Sequence, residues 1–274
     1  MLAKERQNAM REIIRRDGRA TIADLARRFD VTTETVRRDL SLLSQKEPIR
    51  RIHGGAVLLP PVQHAFDLEE RKLTFPNEKR AIGVLATGFL SDGDSVAIGE
   101  GSTTAAFAEA IFGKKDLLIT TCSLEIASLL HRKIKRGDFA GTVVMLGGAV
   151  DPRIGCVIGG DCFAMLDRMY FNKAFFGATA ISERGVLLWD NAEAQFTSRL
   201  LSHAETRICL AESSKFGKNS YFLHSEFGEI DRIVTDATVP IPNPILRAIK
   251  PAGTDLSIAT LPGETVWRNN TAGV

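Results

Sequence analysis

Glycine and hydroxyl side chains follow an apolar stretch in residues 96–104, which read Val-Ala-Ile-Gly-Glu-Gly-Ser-Thr-Thr. Glycine lets the backbone approach an anion closely, and the amides and hydroxyls at the start of a helix favour a phosphate group. The order of strand, glycine turn and helix therefore predicts an anion site, with glycines that only cap a helix as the alternative. The residues expected to form this site are Gly99, Glu100, Gly101, Ser102, Thr103 and Thr104.

Further polar and glycine residues follow the next apolar stretches of the chain. Thr121 and Ser123 come after residues 117–120, and Gly147-Gly148 comes after residues 142–146. Farther along, residues 213–217 contain a lysine whose ammonium group could neutralise a phosphate. These positions add six residues to the predicted site: Thr121, Ser123, Gly147, Gly148, Glu193 and Lys215.

Arginines form a second pattern near the amino terminus. We predict a helix over residues 34–46, capped by Thr33. Its apolar positions Val36, Leu40 and Leu43 recur at helical spacing, so the polar residues near its start face away from the core. An exposed arginine can bond guanine bidentately or neutralise a DNA phosphate. The residues of this segment predicted to contact DNA are Thr33, Glu34, Thr35, Arg37 and Arg38.

Two helices are predicted before this one, the first over residues 2–16 and ending at Asp17-Gly18. Thr21 caps the second helix. The second helix, a tight turn at residues 30–32 and the third helix form a helix-turn-helix, whose second helix normally enters the major groove. Asp39 is expected to make an ion pair or a cap within this unit.

A basic stretch follows the third helix. Residues 48–57 read Pro-Ile-Arg-Arg-Ile-His-Gly-Gly-Ala-Val, which suits a short β-ribbon, or wing, along the phosphate backbone or minor groove. Arg50, Arg51 and His53 would contact DNA there. Residues 1–57 hold 13 Lys/Arg against 8 Asp/Glu, whereas the rest of the chain has a net charge of −3, a split typical of a nucleic-acid module joined to an acidic domain. The alternative is a generic three-helix domain whose arginines only solvate its surface.

Short apolar stretches alternate with helical patterns from residue 78 onward. Helical stretches at residues 103–112 and 123–133 separate some of them. This alternation predicts an α/β fold with a mainly parallel sheet, in which ligands bind beyond the carboxyl ends of the strands. The predicted strands cover residues 95–98, 117–120, 142–146, 173–176, 207–210 and 232–235.

The composition is that of an ordinary globular protein, with 44% hydrophobic and 25% charged residues. The apolar stretches are too short to span a bilayer and the amino terminus has no apolar leader, so we expect a cytoplasmic protein without a membrane partner. The four cysteines form no CxxC pair, and none stands at zinc-ligand spacing from a histidine. We therefore expect buried thiols, no metal and no cofactor, with a redox or metal role as the alternative.

Two motifs at a fixed separation carry a family resemblance. Residues 31–40, Val-Thr-Thr-Glu-Thr-Val-Arg-Arg-Asp-Leu, followed by Arg-Ile-His-Gly-Gly-Ala at residues 51–56, resemble the signature of the DeoR/GlpR family of bacterial transcription regulators. Glu70-Arg71 and residues 77–82 also resemble the start of the family's second domain, and the likeness covers nearly the whole chain. It implies an effector domain similar in fold to ribose-5-phosphate isomerase, with a sugar phosphate held at the predicted anion site.

The chain departs from the family's pattern at several positions. Gly99-Glu100 stands where many relatives carry Asp followed by a small residue, so a negative charge lies beside the predicted phosphate site. The other departures are Cys122 for a frequent Asn, Asn172 for a frequent Asp and Thr197 for a frequent Lys. Together they predict an unusual sugar phosphate, or a phosphodiester, as the effector.

Three regions are predicted: a winged helix-turn-helix DNA-binding domain at residues 1–57, a proline-containing linker at 58–77, and an effector-binding and oligomerisation domain at 78–274. We predict a homo-oligomeric regulator, a dimer or tetramer, that represses a carbohydrate-catabolism operon. Its partners would be double-stranded operator DNA and a small phosphorylated metabolite.

Two other functions are alternatives for the same sequence. The first is a sugar-phosphate isomerase-like enzyme with a fused DNA-binding domain, but residues 175–180 contain no carboxylate for proton transfer, so no catalytic residue is expected. The second is a dinucleotide-binding redox sensor, which is disfavoured because the third glycine of GxGxxG would fall at Thr104.

Overall fold

The computed structural model describes residues 3–17, 19–44, 49–52, 54–58, 68–152 and 154–261. The chain forms two compact units, Met1–His64 and Ala65–Val274. No helix in the described ranges is long and apolar enough to cross a membrane.

The small unit has three helices and a three-stranded antiparallel sheet. The helices are α1 (Ala3–Asp17), α2 (Ile22–Phe29) and α3 (Thr33–Leu43). The strands are β1 (Arg19–Thr21), β2 (Ile49–Ile52) and β3 (Gly55–Leu58), in the order β1-β3-β2. The three helices and the β2–β3 ribbon confirm the winged helix-turn-helix prediction, whereas β1 was not predicted.

One apolar core joins the three helices to the sheet. It consists of Met10, Ile14, Leu25, Val36, Leu40, Leu43 and Ala56. Beside it, the buried carboxylate of Asp39 accepts hydrogen bonds from Arg6 Nε at 2.7 Å and Gln7 Nε2 at 2.8 Å. These contacts tie α3 to α1, so Asp39 makes the structural ion pair that its sequence position predicted.

The ends of α3 differ from the prediction. Thr32, rather than Thr33, caps the helix, because Thr32 Oγ1 accepts the hydrogen bond from the Thr35 amide at 3.2 Å. Thr33 is the first helical residue, and α3 ends at Leu43 instead of continuing to residue 46. Thr21 caps α2 as expected. The predicted helix end at Gly18 lies outside the described residues.

The large unit contains seven α-helices in its described residues. They are α4 (Leu68–Leu73), α5 (Pro76–Thr87), α6 (Ser102–Ala110), α7 (Leu124–Arg136), α8 (Gly160–Leu166), α9 (Asn191–Ser202) and α10 (Asn243–Ala252). Short 3-10 turns occur at Ser213–Lys215 and Phe227–Glu229. The range predicted as linker, 58–77, includes α4 and the first two residues of α5.

The strands of the large unit form one main sheet and two small ones. They are β4 (Ser95–Ile98), β5 (Leu117–Thr121), β6 (Gly141–Met145), β7 (Val150–Asp151), β8 (Cys156–Val157), β9 (Phe171–Gly177), β10 (Ala180–Ser182), β11 (Gly185–Leu188), β12 (Ala204–Leu210), β13 (Phe222–Ser225), β14 (Arg232–Asp236) and β15 (Asp255–Ala259). The main sheet is parallel throughout, in the order β15-β14-β12-β9-β4-β5-β6. The small sheets are antiparallel, in the orders β10-β11-β13 and β7-β8.

The α/β prediction is confirmed, because all six predicted strands belong to the parallel sheet. The fold adds β15 at one edge and the two small antiparallel sheets, none of which was predicted. In a parallel sheet the carboxyl ends of the strands share one edge. The loops after β4, β5, β6, β9, β12 and β14 therefore lie along what we call the carboxyl edge.

Two apolar layers cover the faces of the main sheet. Neighbouring residues of β9 point to opposite faces: Phe175 belongs to the layer that contains α6, and Phe176 to the layer that contains α9. The Phe107 and Phe175 rings stack at 4.2 Å and fix α6 on the sheet. A Cβ at Gly83 would come within 2.7 Å of the Ala106 carbonyl oxygen, so glycine there lets α5 pack directly against α6.

Candidate functional site

The first candidate surface is the start of α3. Asp30 ends α2 in the left-handed conformation, and the chain turns directly into α3. Val36 and Leu40 are buried, which leaves Arg37 and Arg38 exposed on the opposite side of the helix. The Arg37–Glu34 ion pair at 3.2 Å is solvent-exposed. Such pairs contribute little stability, so Arg37 can exchange this partner for DNA.

The other predicted residues of this helix differ in accessibility. Thr33 and Glu34 are exposed, whereas Thr35 is half-buried and its hydroxyl lies 2.9 Å from that of Thr32. Thr35 therefore helps to fix the helix start, which makes it the least accessible of the five residues predicted to contact DNA from α3.

The second candidate surface is the ribbon formed by β2 and β3. Arg50 pairs with Val57 and Arg51 with Ala56 in the antiparallel register. Gly54 turns the chain with a φ of +85°. A Cβ at Gly55 would lie 2.4 Å from the Ala20 carbonyl oxygen, so only glycine allows β3 to pair this closely with β1. The third predicted wing residue, His53, lies outside the described residues.

The third candidate site is the start of α6 at the carboxyl edge. Gly101 caps this helix with a φ of +131° and supplies no side-chain hydrogen bond, and the first turn contains no acidic residue. Thr104 Oγ1 donates to the Gly101 carbonyl at 2.9 Å, which fixes the turn. Ser102 and Thr103 are also buried. The first amides of a helix lack intrahelical partners, so this helix start can receive an anion.

The neighbouring strand ends are also built around hydroxyl groups. Ser123 caps α7, with its Oγ accepting from the Ile126 amide at 3.3 Å, and Thr121 Oγ1 accepts from the Ser123 amide at 3.1 Å. Both hydroxyls keep a hydrogen to donate. Gly147 and Gly148 follow β6, and both are exposed.

Five charged residues near this edge form what we call the charge cluster: Arg71, Lys79, Glu100, Glu212 and Lys215. Arg71 lies 3.6 Å from Glu100, and Lys215 lies 3.4 Å from Glu212, which is buried. Burial lowers the pKa of Lys79, and the nearby charges of Glu212, Lys215 and Arg71 also act on it. The cluster thus brings α4, α5 and the ends of β4 and β12 together.

Two sets of hydrogen bonds hold the cations of the cluster in place. Lys79 Nζ donates to the carbonyl oxygens of Arg71 and Thr74, and so fixes the end of α4. Asp236 accepts from the Ser213 amide and hydroxyl, both at 2.7 Å, and so fixes the turn that contains Lys215. Burial opposes ionisation of Asp236, but these hydrogen bonds, with those from Thr238, keep its pKa below the ordinary value. Lys215, which the sequence predicted, belongs to the same cluster as Arg71, Lys79 and Glu212, which it did not.

Two other positions from the prediction lie on α9. Glu193 is buried in the first turn of this helix, which Asp190 caps, and Thr197 is buried one turn later. The helix packs against β9, β11, β12 and β13. The assignment of Glu193 to the effector site stays a prediction.

Asn172 lies at the opposite edge of the sheet from the predicted site. Its Oδ1 accepts from the Ser95 amide at 3.0 Å and its Nδ2 donates to Glu205 at 3.2 Å, at the amino ends of β4, β9 and β12. The prediction that this position bears on the ligand therefore needs correction, because Asn172 joins strand ends far from the carboxyl edge.

All four cysteines are buried free thiols, as predicted. The hydrogen bond between Cys122 and Cys156, together with burial, raises the pKa of the Cys122 thiol. Burial raises the pKa of Cys162 to about 11. These thiols are held protonated near neutral pH, which opposes reaction or metal binding. No group of three or more potential metal ligands occurs in the described part of the chain.

A winged helix-turn-helix followed by an α/β unit with an anion-competent edge defines a DNA-binding regulator with a sensor domain. Residues 6–61 match the family model for the DeoR-like helix-turn-helix domain, and residues 74–237 match that for the DeoR C terminal sensor domain. The chain therefore belongs to the DeoR family of transcriptional regulators.

Relatives in the family are similar over most of their length. The HTH-type transcriptional repressor GlcR of Bacillus subtilis is 29% identical over 86% of this chain and 89% of its own. The glycerol-3-phosphate regulon repressor of Escherichia coli is 28% identical over 88% of this chain and 94% of its own. Among solved structures, ribose 5-phosphate isomerase A of Neisseria gonorrhoeae matches with a TM-score of 0.38 and 21% identity, over 52% of this chain and 53% of its own.

Proposed function

We propose that the chain represses a carbohydrate-catabolism operon and that a phosphorylated metabolite, bound at the carboxyl edge of the large unit, controls its DNA binding. The observation that carries this proposal is the charge cluster beside the strand end that leads into α6. Arg71, Lys79 and Lys215 supply three cations, and the first amides of α6 have no side-chain cap. Relatives named as repressors of the glycerol-3-phosphate regulon and of the lactose phosphotransferase system support the same class of regulated genes.

The three cations of the cluster can meet a phosphate group, although carboxylates lie near each of them. Arg71 lies near Glu100 and Lys215 near Glu212. The charges of Glu212 and Glu78 act on Lys79. A phosphate monoester near neutral pH carries a charge between about −1.5 and −2 and offers three acceptor oxygens. Charge-assisted hydrogen bonds from lysine, arginine and helix amides are the strong class of contact for such a group.

DNA contact is assigned to the small unit. Arg37 and Arg38 at the start of α3 read base edges or phosphates in the major groove, with Thr33 and Glu34 beside them. Arg50, Arg51 and His53 of the ribbon follow the backbone or minor groove. A homodimer or tetramer, assembled through the large unit, presents at least two copies of this surface to repeated half-sites in the cytoplasm.

Effector binding changes DNA affinity only if the effector has different affinities for the DNA-competent and incompetent arrangements. We propose that the effector favours the incompetent arrangement, so that the metabolite relieves repression. The regions 1–57, 58–77 and 78–274 are proposed as the DNA-binding, linking and sensing parts.

A thermal-shift screen tests the sensing step. Sugar phosphates and the matching free sugars are added to purified protein, and a ligand of the folded state must raise the melting temperature. We expect shifts from phosphorylated compounds alone. Shifts from free sugars, with none from any phosphate, would contradict the proposal.

A pair of variants tests whether Lys215 contacts the effector. Lys215→Ala removes a charge-assisted hydrogen bond, whose loss weakens binding about tenfold to a hundredfold. Lys218→Ala is the matched control, because Lys218 is an exposed lysine three residues away. Equal effector affinity in the two variants would remove Lys215 from the site.

A further inference from the structure

Helix α4 is attached to the large unit by polar contacts. It has six residues, Leu68–Leu73, which are too few for a helix to be stable alone in water. None of its side chains that the structure describes is buried, and Leu73 is 82% exposed. The helix therefore depends on the groups that bind it from other parts of the large unit.

Three contacts join α4 to the elements around the proposed phosphate position. The Lys79 ammonium group of α5 binds two carbonyl oxygens at the end of α4. Arg71 lies 3.6 Å from Glu100, the residue that precedes the cap of α6. Lys72 forms an ion pair with Glu125 in the first turn of α7. Helix α4 thus bridges the starts of α6 and α7.

The position of α4 changes the charge beside the start of α6. Glu100 places a negative charge next to this helix start, and like charges close together oppose the binding of a phosphate there. Arg71 compensates that charge while α4 is docked. Release of α4 removes the compensating cation and leaves the Glu100 carboxylate to repel the phosphate. Because such coupling is reciprocal, a phosphate at the start of α6 also favours the docked α4.

Helix α4 is also the first described element of the large unit along the chain. The boundary between the two units falls between His64 and Ala65, and α4 begins at Leu68. A change in the docking of α4 therefore acts on the part of the chain that connects the sensor to the DNA-binding unit.

We propose that α4 is a strap, which exchanges between this docked arrangement and a released one, and that the Lys72–Glu125 ion pair holds it docked. The effector favours the docked arrangement, which is the one with low DNA affinity. This inference rests on the proposed function and names the element that carries its regulation. Lys72 and Glu125 are positioning residues, because they act on the effector through the position of Arg71.

Two opposite charge reversals test the strap. Lys72→Glu and Glu125→Lys each place like charges where the ion pair was, so both release α4. The two side chains are each 31% exposed. An ion pair of this kind is worth up to about fivefold in an equilibrium constant, and repulsion in its place costs a similar factor. Effector affinity falls with the docked fraction, so we expect binding about threefold to tenfold weaker in each variant.

The signs of the two changes separate the strap from a general effect of charge. Lys72→Glu makes the protein more negative, whereas Glu125→Lys makes it more positive. Attraction of the phosphate by net charge alone would therefore weaken binding in the first variant and strengthen it in the second, whereas the strap predicts weaker binding in both. The double variant, Lys72→Glu with Glu125→Lys, restores an ion pair of reversed polarity and should regain most of the lost affinity.

Three measurements on the full chain follow the strap, with glycerol 3-phosphate, glucose 6-phosphate and inorganic phosphate as probes. Isothermal titration calorimetry gives the affinity for each probe. Hydrogen exchange of the amides of residues 68–75 reports the docking of α4, and should be faster in both single variants and slower in the parent protein with a probe bound. At a fixed probe concentration, both single variants should bind operator DNA more tightly than the parent protein.

Asp255→Lys is the matched control. It breaks the Arg232–Asp255 ion pair at the opposite, amino edge of the main sheet and adds the same positive charge as Glu125→Lys. It should change neither the affinity for the probes nor the exchange of residues 68–75.

Two failures can be told apart. If a probe binds the parent protein but leaves the exchange of residues 68–75 unchanged, or if Glu125→Lys does not weaken its binding, the strap is wrong and the proposed function stands. If none of the probes binds the parent protein, the proposed phosphate sensing fails and the strap fails with it.

Discussion

Removal of the Asp39 carboxylate tests how the DNA-binding unit is held together. The side chain is 5% exposed and accepts from Arg6 Nε at 2.7 Å and Gln7 Nε2 at 2.8 Å. Asp39→Ala leaves the Arg6 guanidinium, 12% exposed, without its carboxylate. Breaking a buried pair in this way costs about 3–5 kcal/mol. A unit of this size has a free energy of unfolding near the low end of about 5–15 kcal/mol, so the cost is a large fraction of the total.

The two units can be followed separately. Trp189 lies in the large unit and residues 1–64 contain no tryptophan, so tryptophan fluorescence does not follow the small unit. DNA binding reports on the small one. Circular dichroism reports on the helices of both units, so unfolding confined to the small unit appears as a circular-dichroism transition that tryptophan fluorescence does not follow. We expect Asp39→Ala to lower the urea midpoint of the small unit and its DNA binding at physiological temperature. The tryptophan transition of the large unit and its thermal shift with effector should remain.

A double variant separates the ion pair from a general packing defect. Arg6→Leu combined with Asp39→Leu removes both charges, and replacing a buried pair by apolar groups is often neutral or stabilising. The double variant should therefore be more stable than Asp39→Ala. A cost below about 1 kcal/mol for Asp39→Ala, or a double variant that is less stable still, would refute this reasoning.

Three further predictions concern the binding surfaces and the core. The double variant Arg37→Ala and Arg38→Ala should weaken operator binding without unfolding the protein. The slope of the logarithm of operator affinity against the logarithm of salt concentration should become shallower by about 1 for each DNA phosphate that these arginines neutralise. Unchanged affinity in a DNA titration would exclude α3 as the recognition helix. Gly101→Ala strains a residue at φ +131°, at a cost on the order of 1–3 kcal/mol. This variant should bind the effector more weakly in calorimetry. Normal effector affinity would show that the start of α6 is not part of the site. Burial lowers the pKa of His224 from 6.5 to about 3. On acidification this histidine is therefore protonated first in the unfolded chain, and the free energy of unfolding falls between pH 6.5 and pH 3. The loss at pH 5 is about 2 kcal/mol. His224→Leu should flatten this fall in urea titrations across the same pH range; an unchanged slope would contradict the assignment.

Local patterns predicted the small unit well. Val36, Leu40 and Leu43 fix which side of α3 is buried, and the Gly-Gly turn fixes the ribbon. The helix cap was placed one residue late because Thr32 and Thr33 have the same side chain, and only the backbone conformation decides between them. Strand β15 was missed because its exposed and half-buried residues give no continuous apolar stretch.

The residues of the proposed anion site were named in part from the sequence. Glycines and hydroxyls directly after strands give a local signal, which points to the start of α6 and to Lys215, and their role in binding stays a prediction. Arg71, Lys79 and Glu212 were missed, because they meet only through the tertiary fold: α4 lies in what sequence composition indicates to be linker, and Glu212 is more than 130 positions from Lys79. A buried lysine on a helix resembles any surface lysine until its neighbours are known.

The most direct test of phosphate-controlled repression is a titration of the protein onto its operator DNA, by fluorescence anisotropy, with and without the phosphorylated compound that raises its melting temperature. We predict that this compound weakens operator binding about tenfold or more, within the usual range of allosteric coupling, and that its dephosphorylated form has no effect. Lys215→Ala should move the response to about tenfold to a hundredfold higher concentrations of the compound while operator affinity without effector is unchanged. If no phosphorylated compound that raises the melting temperature changes the affinity for operator DNA, the proposed control of DNA binding is contradicted.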